Sequence, residues 1–364
     1  MQPDQHEKNY IAIMFADAHL PDQLLPQHLD AYLERGWFRM SQRIFTTNFV
    51  HFKDQIYSTV WLRILLDEYI ADSTQLKLFK RNAVFRTTIK PASITTEKEE
   101  LYLHYKHSLP FQPSESLSSL LYGRTENNSI FNTFEVTLHD GEKLIACGFF
   151  DVGEASAEGI TSFYDPAYKK FSLGKYLIYL KIQHCRNLKL RYFYPGYFVP
   201  GYSFFNYKLT IGRETLEFLR LRSQQWISIE TFSADDIPVK VMHDKLNLVS
   251  NALTQANISS KVMKYEFFDA NLIPDLKGSE LLDFPVFLFF GDQSNDGINP
   301  ILVFDVRDAQ YHLLTCAPIW KPNEISPDLS FYSVYFLKPI FEVSATPSIE
   351  EIESVILKVL SVQP

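Results

Sequence analysis

The sequence predicts an α+β protein in which a mixed sheet is flanked by helices, with an N-terminal α+β part and an additional C-terminal α+β region. Three observations carry this. Phe131 to Leu138 alternates apolar and polar residues, Asp140-Gly141 follows, and Lys143 to Asp151 returns. Asp-Gly between two such runs signals a two-residue hairpin, because Gly accepts the positive φ the turn needs. A strand at Gly159–Tyr164, closed by Asp165-Pro166, then leads into a helix from Leu173 to about Asn187 and a strand at Leu190–Tyr194. Several short apolar runs and a last amphipathic helix fill the final third.

In chain order, a short strand is expected at Tyr10–Phe15, and a helix from Asp30 to Arg35 ended by Gly36 in C-cap position. Trp37–Arg43 and Val60–Leu66 read as strands. Ser73–Asn82 reads as a basic helix with Ser73 as N-cap and Leu76, Phe79 and Ala83 on its apolar side. Leu101–Lys106 and Leu117–Leu121 read as helices around a Pro110–Pro113 break. In the helix that Ser172 caps, Leu173, Leu177 and Leu180 share one buried face. His184, one turn on, reads as a core-edge histidine. Pro195-Gly196 breaks the next strand. Further on, Val239–Leu253 suggests a helix, and Val262–Phe268, Val286–Phe290, Ile301–Val306 and His312–Cys316 suggest strands. Asn295-Asp296-Gly297 is a turn without the spacing of a calcium loop. Ser348 caps a helix carrying Ile349, Ile352, Ile356 and Leu360. The chain divides into units at 1–110, 111–231 and 232–364.

Composition narrows the function classes. The chain has 364 residues, 46% of them apolar, with 30 Phe and 20 Tyr, which is too much apolar side chain for a disordered polypeptide. Its longest strongly apolar run, Phe284–Phe290, is far short of the about 20 residues a bilayer-spanning helix needs. No secretory signal is visible. Cys147, Cys185 and Cys316 are too scattered for a disulfide framework or a metal pair, so a cytoplasmic protein with free thiols is expected.

The net charge of −8 is unevenly spread: residues 1–110 carry 13 basic and 13 acidic side chains, 111–231 carry 13 and 12, and 232–364 carry 9 and 18. Ser73 to Lys90 holds five cations and no acid. Phe163 to Arg213 holds nine cations against one acid, Asp165, interleaved with Phe and Tyr. Such stretches suit a phosphate backbone and unpaired bases. Solvated lysine-rich faces and core aromatics would give the same pattern.

The order hairpin, strand, helix, strand is that of the GNAT acyltransferase centre, a fold-level analogy. Beyond it, the series Phe163-Tyr164-Asp165-Pro166, Ser172-Leu173-Gly174 with Tyr176, Tyr194-Pro195-Gly196-Tyr197, Pro200-Gly201 and Asn206-Tyr207-Lys208 resembles the arginyl-tRNA–protein transferases and the related bacterial leucyltransferases. Arg35-Gly36-Trp37 with Arg39, Arg63-Ile64, and Ser73, Gln75, Lys77, Arg81 and Asn82 resemble their N-terminal part. The resemblance covers about residues 30–220. It implies transfer of an amino acid, Arg or Leu, from aminoacyl-tRNA to the α-amine of a protein with an acidic first residue, on a GNAT-like domain and without a cofactor.

The residues fit that chemistry. Aminolysis of an ester needs a neutral amine, a polarised carbonyl and a proton for the leaving oxygen, but no activated side-chain nucleophile. The start of the Ser172-Leu173-Gly174 helix presents backbone N–H groups and a positive dipole end, and Gly174 permits close approach of a phosphate or ribose. Packing against a neighbouring strand would equally explain Gly174. Asp165 can hold an ammonium or serve as an Asp-Pro turn residue. Lys208 can meet an acidic side chain or a phosphate, or be an ordinary surface lysine. Tyr164, Tyr194 and Tyr197 can stack on adenosine, donate to an oxyanion, or be core. The catalytic candidates are therefore Asp165, Tyr197 and Lys208. The binding candidates are Lys77, Lys80, Arg81, Asn82, Tyr164, Ser172, Gly174, Lys175 and Tyr194.

Two departures from the family pattern stand out. The stretch Phe45–Trp61 has no cysteine where the family carries a metal-binding cluster, and His51 alone makes no site, so no metal is expected. Tyr202-Ser203-Phe204 stands where the family has Cys-Pro-Lys. A non-catalytic GNAT-like binding module derived from the family is the alternative reading. A CoA-dependent acetyltransferase is disfavoured, because Gly174 is alone where the CoA loop carries a basic residue and two glycines.

Overall fold

The computed structural model describes residues 14–109, 113–123, 129–290, 299–320, 331–332 and 336–362. It is an α+β protein. An eight-stranded sheet runs in the order Gln225–Ser228, Leu216–Arg220, Val60–Leu65, Tyr192–Phe198, Ser156–Tyr164, Lys143–Val152, Thr133–Asp140, Arg86–Pro91. Every neighbouring pair is antiparallel except Ser156–Tyr164 with Tyr192–Phe198, which is parallel. Alternation along the strands sorts side chains to the two faces. Ile145 and Phe150 pack with Leu173, Leu177 and Ile182 of the Leu173–Asn187 helix. Cys147, Phe149 and Phe163 point the other way, against Leu101 and Tyr102 of the Thr96–Lys106 helix and Leu117 and Leu121 of the Leu117–Tyr122 helix. That second face also receives the Pro26–Glu34 helix and a three-stranded sheet of Ala16–His19, Phe38–Met40 and Arg43–Thr47.

The last third forms a six-stranded sheet, covered by the Pro238–Gln255 and Ile349–Val362 helices. Its core admits Phe15, Phe49 and Ile56 from the N-terminal part. No helix among the described residues is long and apolar enough to cross a membrane.

Several local expectations need correction. The first helix begins at Pro26, since proline is well placed in a first turn, where its missing N–H is not needed. Trp37–Arg43 is not one strand: Ser41, at φ +60°, turns the chain between Phe38–Met40 and Arg43–Thr47. The basic helix spans Ser73–Asn82, but its N-cap is Asp72, whose Oδ1 accepts the Gln75 N–H at 2.7 Å. Leu76 on that helix is exposed, and Leu78 is the buried leucine. Ser172 precedes the Leu173–Asn187 helix in the left-handed region, and its side chain makes no cap bond. Pro195-Gly196 does not end the strand, which runs Tyr192–Phe198. Pairing with Val60–Leu65 shifts between Phe193 and Gly196, so Pro195, which has no N–H to give, lies in a bulge. Most of Tyr10–Phe15, the Asn295-Asp296-Gly297 turn and most of the Pro110–Pro113 break lie outside the described residues. His184 is a core histidine, ringed by Phe134 and Phe150.

Candidate active site

Two bulges make the site. The parallel strands pair only at Ser156–Tyr192, Ala157–Phe193 and Glu158–Tyr194. Immediately beyond, Ser156–Tyr164 bulges between Gly159 and Thr161, and Tyr192–Phe198 bulges at Pro195. The strands then diverge, and a cavity of about 710 Å³ opens between them, lined by Glu158–Ser162 and Tyr164 on one side and Pro195–Tyr197 on the other.

Lys181 holds the divergent strand. It is a fully buried lysine on the apolar face of the Leu173–Asn187 helix. Its ammonium donates to the carbonyls of Phe149 and Thr161, each at 2.8 Å, and to Ser162 Oγ at 3.0 Å. Burial pushes its pKa down to about 7.

At the far end of the strand the cavity is basic and begins a helix. Tyr164, Lys169, Ser172, Gly174, Lys175, Tyr207 and Lys208 all border it. A Cβ placed on Gly174 would sit 3.4 Å from the Tyr164 ring, which makes the helix tip and the tyrosine immediate neighbours. Lys208 donates to the Tyr197 carbonyl at 2.8 Å and lies over the Tyr197 and Phe205 rings, and burial lowers its pKa to about 7. Lys175 donates to Thr210 Oγ1 at 3.0 Å.

Glu158 stands at the opposite end, six residues before Tyr164, which is roughly 20 Å along an extended strand. It is almost wholly buried. Its Oε2 accepts the Arg39 backbone N–H at 3.2 Å, while Oε1 has no hydrogen-bond partner. The Arg39 guanidinium is occupied elsewhere, on Asp151 at 2.9 Å, on Thr133 and on the Leu121 carbonyl. Burial and then the negative charge of Asp151 raise the Glu158 pKa to about 8, against the opposing pull of the Arg39 N–H and guanidinium. Phe38, Phe45, Trp61 and Tyr197 also line the cavity, with Phe38 stacked on Trp61 at 3.8 Å and Tyr197 edge-on to it at 4.9 Å.

Of the residues singled out in the sequence, Tyr164, Ser172, Gly174, Lys175, Tyr197 and Lys208 share this one cavity. Asp165 does not line it. Its carboxylate takes Lys143 Nζ at 2.6 Å, has His104 at 3.7 Å, and caps the following short helix through the Ala167 N–H. Burial would raise its pKa, but these partners outweigh that and hold it below the usual value. Tyr194 does not line the cavity either, and is buried against Phe38 and Trp226. Lys77 and Lys80 lie on the exposed side of the basic helix. Arg81 and Asn82 bond the Phe171 carbonyl, so they hold the turn that delivers Ser172.

Lys181 and Glu158 were not singled out from the sequence. Lys181 carried a signal, since it falls eight residues after Leu173 on the same apolar stripe. Glu158 carried none, because its burial depends on Arg39 and Asp151, which are distant in sequence or on a neighbouring strand. Among the described residues the one grouping able to offer a metal three ligands is Asp305, Asp308 and His312, on the C-terminal sheet. There Arg307 clasps Asp305, and His312 pairs with Asp308 and Glu342.

The family described as "Arginine-tRNA-protein transferase, C terminus" matches residues 97–217. That span contains the cavity residues from Tyr102 to Lys208. The chain is similar to the aspartate/glutamate leucyltransferase of Leptospira interrogans, 30% identical over 216 residues, covering 58% of this chain and 82% of that protein. The Campylobacter jejuni enzyme of the same name is 27% identical over 180 residues, 48% of this chain and 74% of its own length. The one from Vibrio cholerae is 23% identical over 211 residues, 57% and 85%. Among solved structures, the C-terminal domain of a putative lysylphosphatidylglycerol synthetase from Agrobacterium fabrum aligns with 38% of this chain and 46% of its own, at 16% identity and a TM-score of 0.31. That likeness is too slight to define the fold.

Proposed function

The chain belongs to the arginyl-tRNA–protein transferase family, which includes the aspartate/glutamate leucyltransferases, and on that premise we propose that the cavity between the diverging strands is where the amino acid changes hands. The protein is an aminoacyltransferase that moves an amino acid from charged tRNA to the N-terminus of a protein. The reading proposed here adds the acceptor class, the donor, the site and the setting. The acceptor begins with Asp or Glu, the donor is Arg- or Leu-tRNA, and the reaction takes place in the cytoplasm without a cofactor.

One observation supports the site above the others: a cavity that is basic where a helix begins and lined by unpaired strand edge where the sheet splits. Lys169, Lys175 and the first-turn amides suit the terminal phosphate and ribose of the tRNA. Tyr164 offers its ring to the terminal adenine. The donor ester then falls in the gap beside Thr161 and Gly196. There the incoming α-amine attacks the carbonyl carbon, the bond to the 3′-oxygen breaks, and that oxygen takes a proton. Tyr197 is proposed to steady the carbonyl, and Lys208 to meet the acceptor's acidic side chain. Asp165 is proposed to act through Lys143 and the Ala167 turn that precedes Ser172. Tyr194 is proposed to support the floor, and Lys77, Lys80, Arg81 and Asn82 to engage the RNA or steady the Ser172 turn.

The parallel pair that separates at paired bulges supports a GNAT-like core in 111–231. Residues 1–110 contribute the basic helix and two strands of the same sheet, and 232–364 form an acidic unit. The test is transfer of radiolabelled amino acids from a panel of charged tRNAs to peptides beginning with Asp, Glu or Ala. Label on the Asp and Glu peptides from Arg- or Leu-tRNA is the expected result. A folded protein that labels none of them refutes the reading.

A further inference from the structure

The acidic end of the cavity has a charge imbalance that the transfer chemistry does not use. Asp151 and Glu158 are two buried acids beside Arg39, whose guanidinium is committed to Asp151, while the Lys181 ammonium is held on carbonyls and Ser162. Glu158 borders the cavity, and its Oε1 is buried with no partner. A buried carboxyl oxygen without a hydrogen bond is costly, so a cavity-lining residue that carries one marks a position that a ligand completes. The neighbouring rings narrow the chemistry. Phe38, Trp61 and Tyr197 border the same cavity, packed on one another with the Lys208 ammonium over the Tyr197 ring, and aromatic rings with a carboxylate form the pairing that holds organic cations. A leucyl side chain placed there would keep Glu158 buried and unpaired, and this asymmetry discriminates strongly between substrates.

We propose that Glu158, with the rings of Phe38, Trp61 and Tyr197, receives the cationic side chain of the donor amino acid, so that the enzyme selects a guanidinium- or ammonium-bearing aminoacyl group over leucine. This rests on the cavity being the transfer site. The cavity's polarity agrees with it: Lys169 and Lys175 stand by the helix tip, Lys208 lies over the Tyr197 ring, and Glu158 lies six residues before Tyr164, roughly 20 Å along an extended strand. The groups facing Glu158 are Arg39 from the Phe38–Met40 strand, Asp151 from the Lys143–Val152 strand, and the uncharged Tyr194 paired across from it, with Lys181 adding positive charge beside Asp151. Loss of a proton from Glu158 accompanies entry of the cation.

The experiment has two arms. In the first, kcat/KM for transfer from Arg-tRNA and Leu-tRNA is measured for the wild type, Glu158→Gln and Glu158→Leu at pH 8. The wild type is expected to favour Arg at least ten-fold, and both variants are expected to lower the Arg-to-Leu ratio ten-fold or more, mainly through KM. A wild type that favours Leu overturns the proposal. Equal losses for both donors in Glu158→Gln also overturn it, assigning the carboxyl to the α-ammonium that every donor carries. In the second arm, Nα-acetyl-argininamide and Nα-acetyl-leucinamide are titrated into the intact protein while tryptophan fluorescence is followed. Preference for the arginine compound in the wild type, lost in Glu158→Gln, supports the proposal, and equal binding overturns it. Preference without any transfer would refute the transfer reading and, with it, the assignment to a donor amino acid, leaving only a cation site at Glu158.

Discussion

Lys181 and Thr161 meet at 2.8 Å, an ammonium against the carbonyl of a strand that has just left its parallel neighbour. The same ammonium also reaches Phe149 and Ser162, so it ties the divergent strand to the helix beneath. The lysine is an expensive tie, because burial lowers its pKa to about 7.

A pH signature follows. An unfolded lysine keeps its proton up to about pH 10.4, while the folded one gives it up above about 7. Between those values the unfolded chain binds more protons, so this group makes stability rise with pH by up to about 1.4 kcal/mol per unit. Lys181→Met is expected to remove that rise. Urea unfolding of both proteins at pH 7, 8 and 9 measures it, and parallel slopes would refute it.

The Arg39–Asp151 pair is a second buried commitment, with side-chain exposures of 2% and 0%. Arg39→Met leaves Asp151 and Glu158 as neighbouring buried acids and is expected to cost about 3–5 kcal/mol. Adding Asp151→Asn should return part of that loss, with a coupling above about 1 kcal/mol. Strictly additive losses in chemical denaturation would contradict the arrangement.

Gly196 holds φ +82°, and a Cβ there would lie 3.1 Å from Lys208 Nζ. Gly196→Ala is expected to lose about 1–2 kcal/mol from the left-handed backbone alone. It should also displace the lysine and lower transfer several-fold more than the stability loss explains. Thermal unfolding and initial rates on the same sample separate the two effects.

Lys77 and Lys80 project from the basic helix beyond the cavity. If they neutralise RNA phosphates, the double substitution to alanine lowers the slope of log K against log salt by about 1.4–1.8. Fluorescence anisotropy of labelled tRNA between low and moderate salt reads this, and an unchanged slope would remove these lysines from the RNA surface.

Glu158, with its pKa raised to about 8 by burial and by Asp151, is mostly protonated at neutral pH. Nα-acetyl-argininamide should therefore bind more tightly as pH rises, by roughly twenty-fold from pH 6.5 to 8.5 through linkage. The leucine analogue should show no such trend, and a flat arginine profile would show that Glu158 does not face the cation.

How far the sequence foretold the molecule depended on the range of the forces involved. The Asp140-Gly141 hairpin, the Ser73–Asn82 helix and the Leu173–Asn187 helix were legible because turn chemistry and periodicity are local. Leu216–Arg220 and Arg86–Pro91 were missed, since each is a strand by virtue of a neighbour distant in sequence. For the site, Tyr164, Ser172, Gly174, Lys175, Tyr197 and Lys208 were readable from motif and charge. Asp165 shared the motif, yet Lys143 and His104 draw it away from the cavity. The acidic end stayed hidden because Arg39 and Glu158 meet across 119 positions.

The brief parallel pairing has a mechanical consequence. Four strands lie on each side of the seam, and only Ser156–Tyr192, Ala157–Phe193 and Glu158–Tyr194 stitch the two leaves together. Such a sheet resembles a book bound along part of its spine, with its pages standing apart beyond the binding. The gap between the leaves is thus part of the paired architecture of each, present without the loss of a hydrogen bond within either leaf.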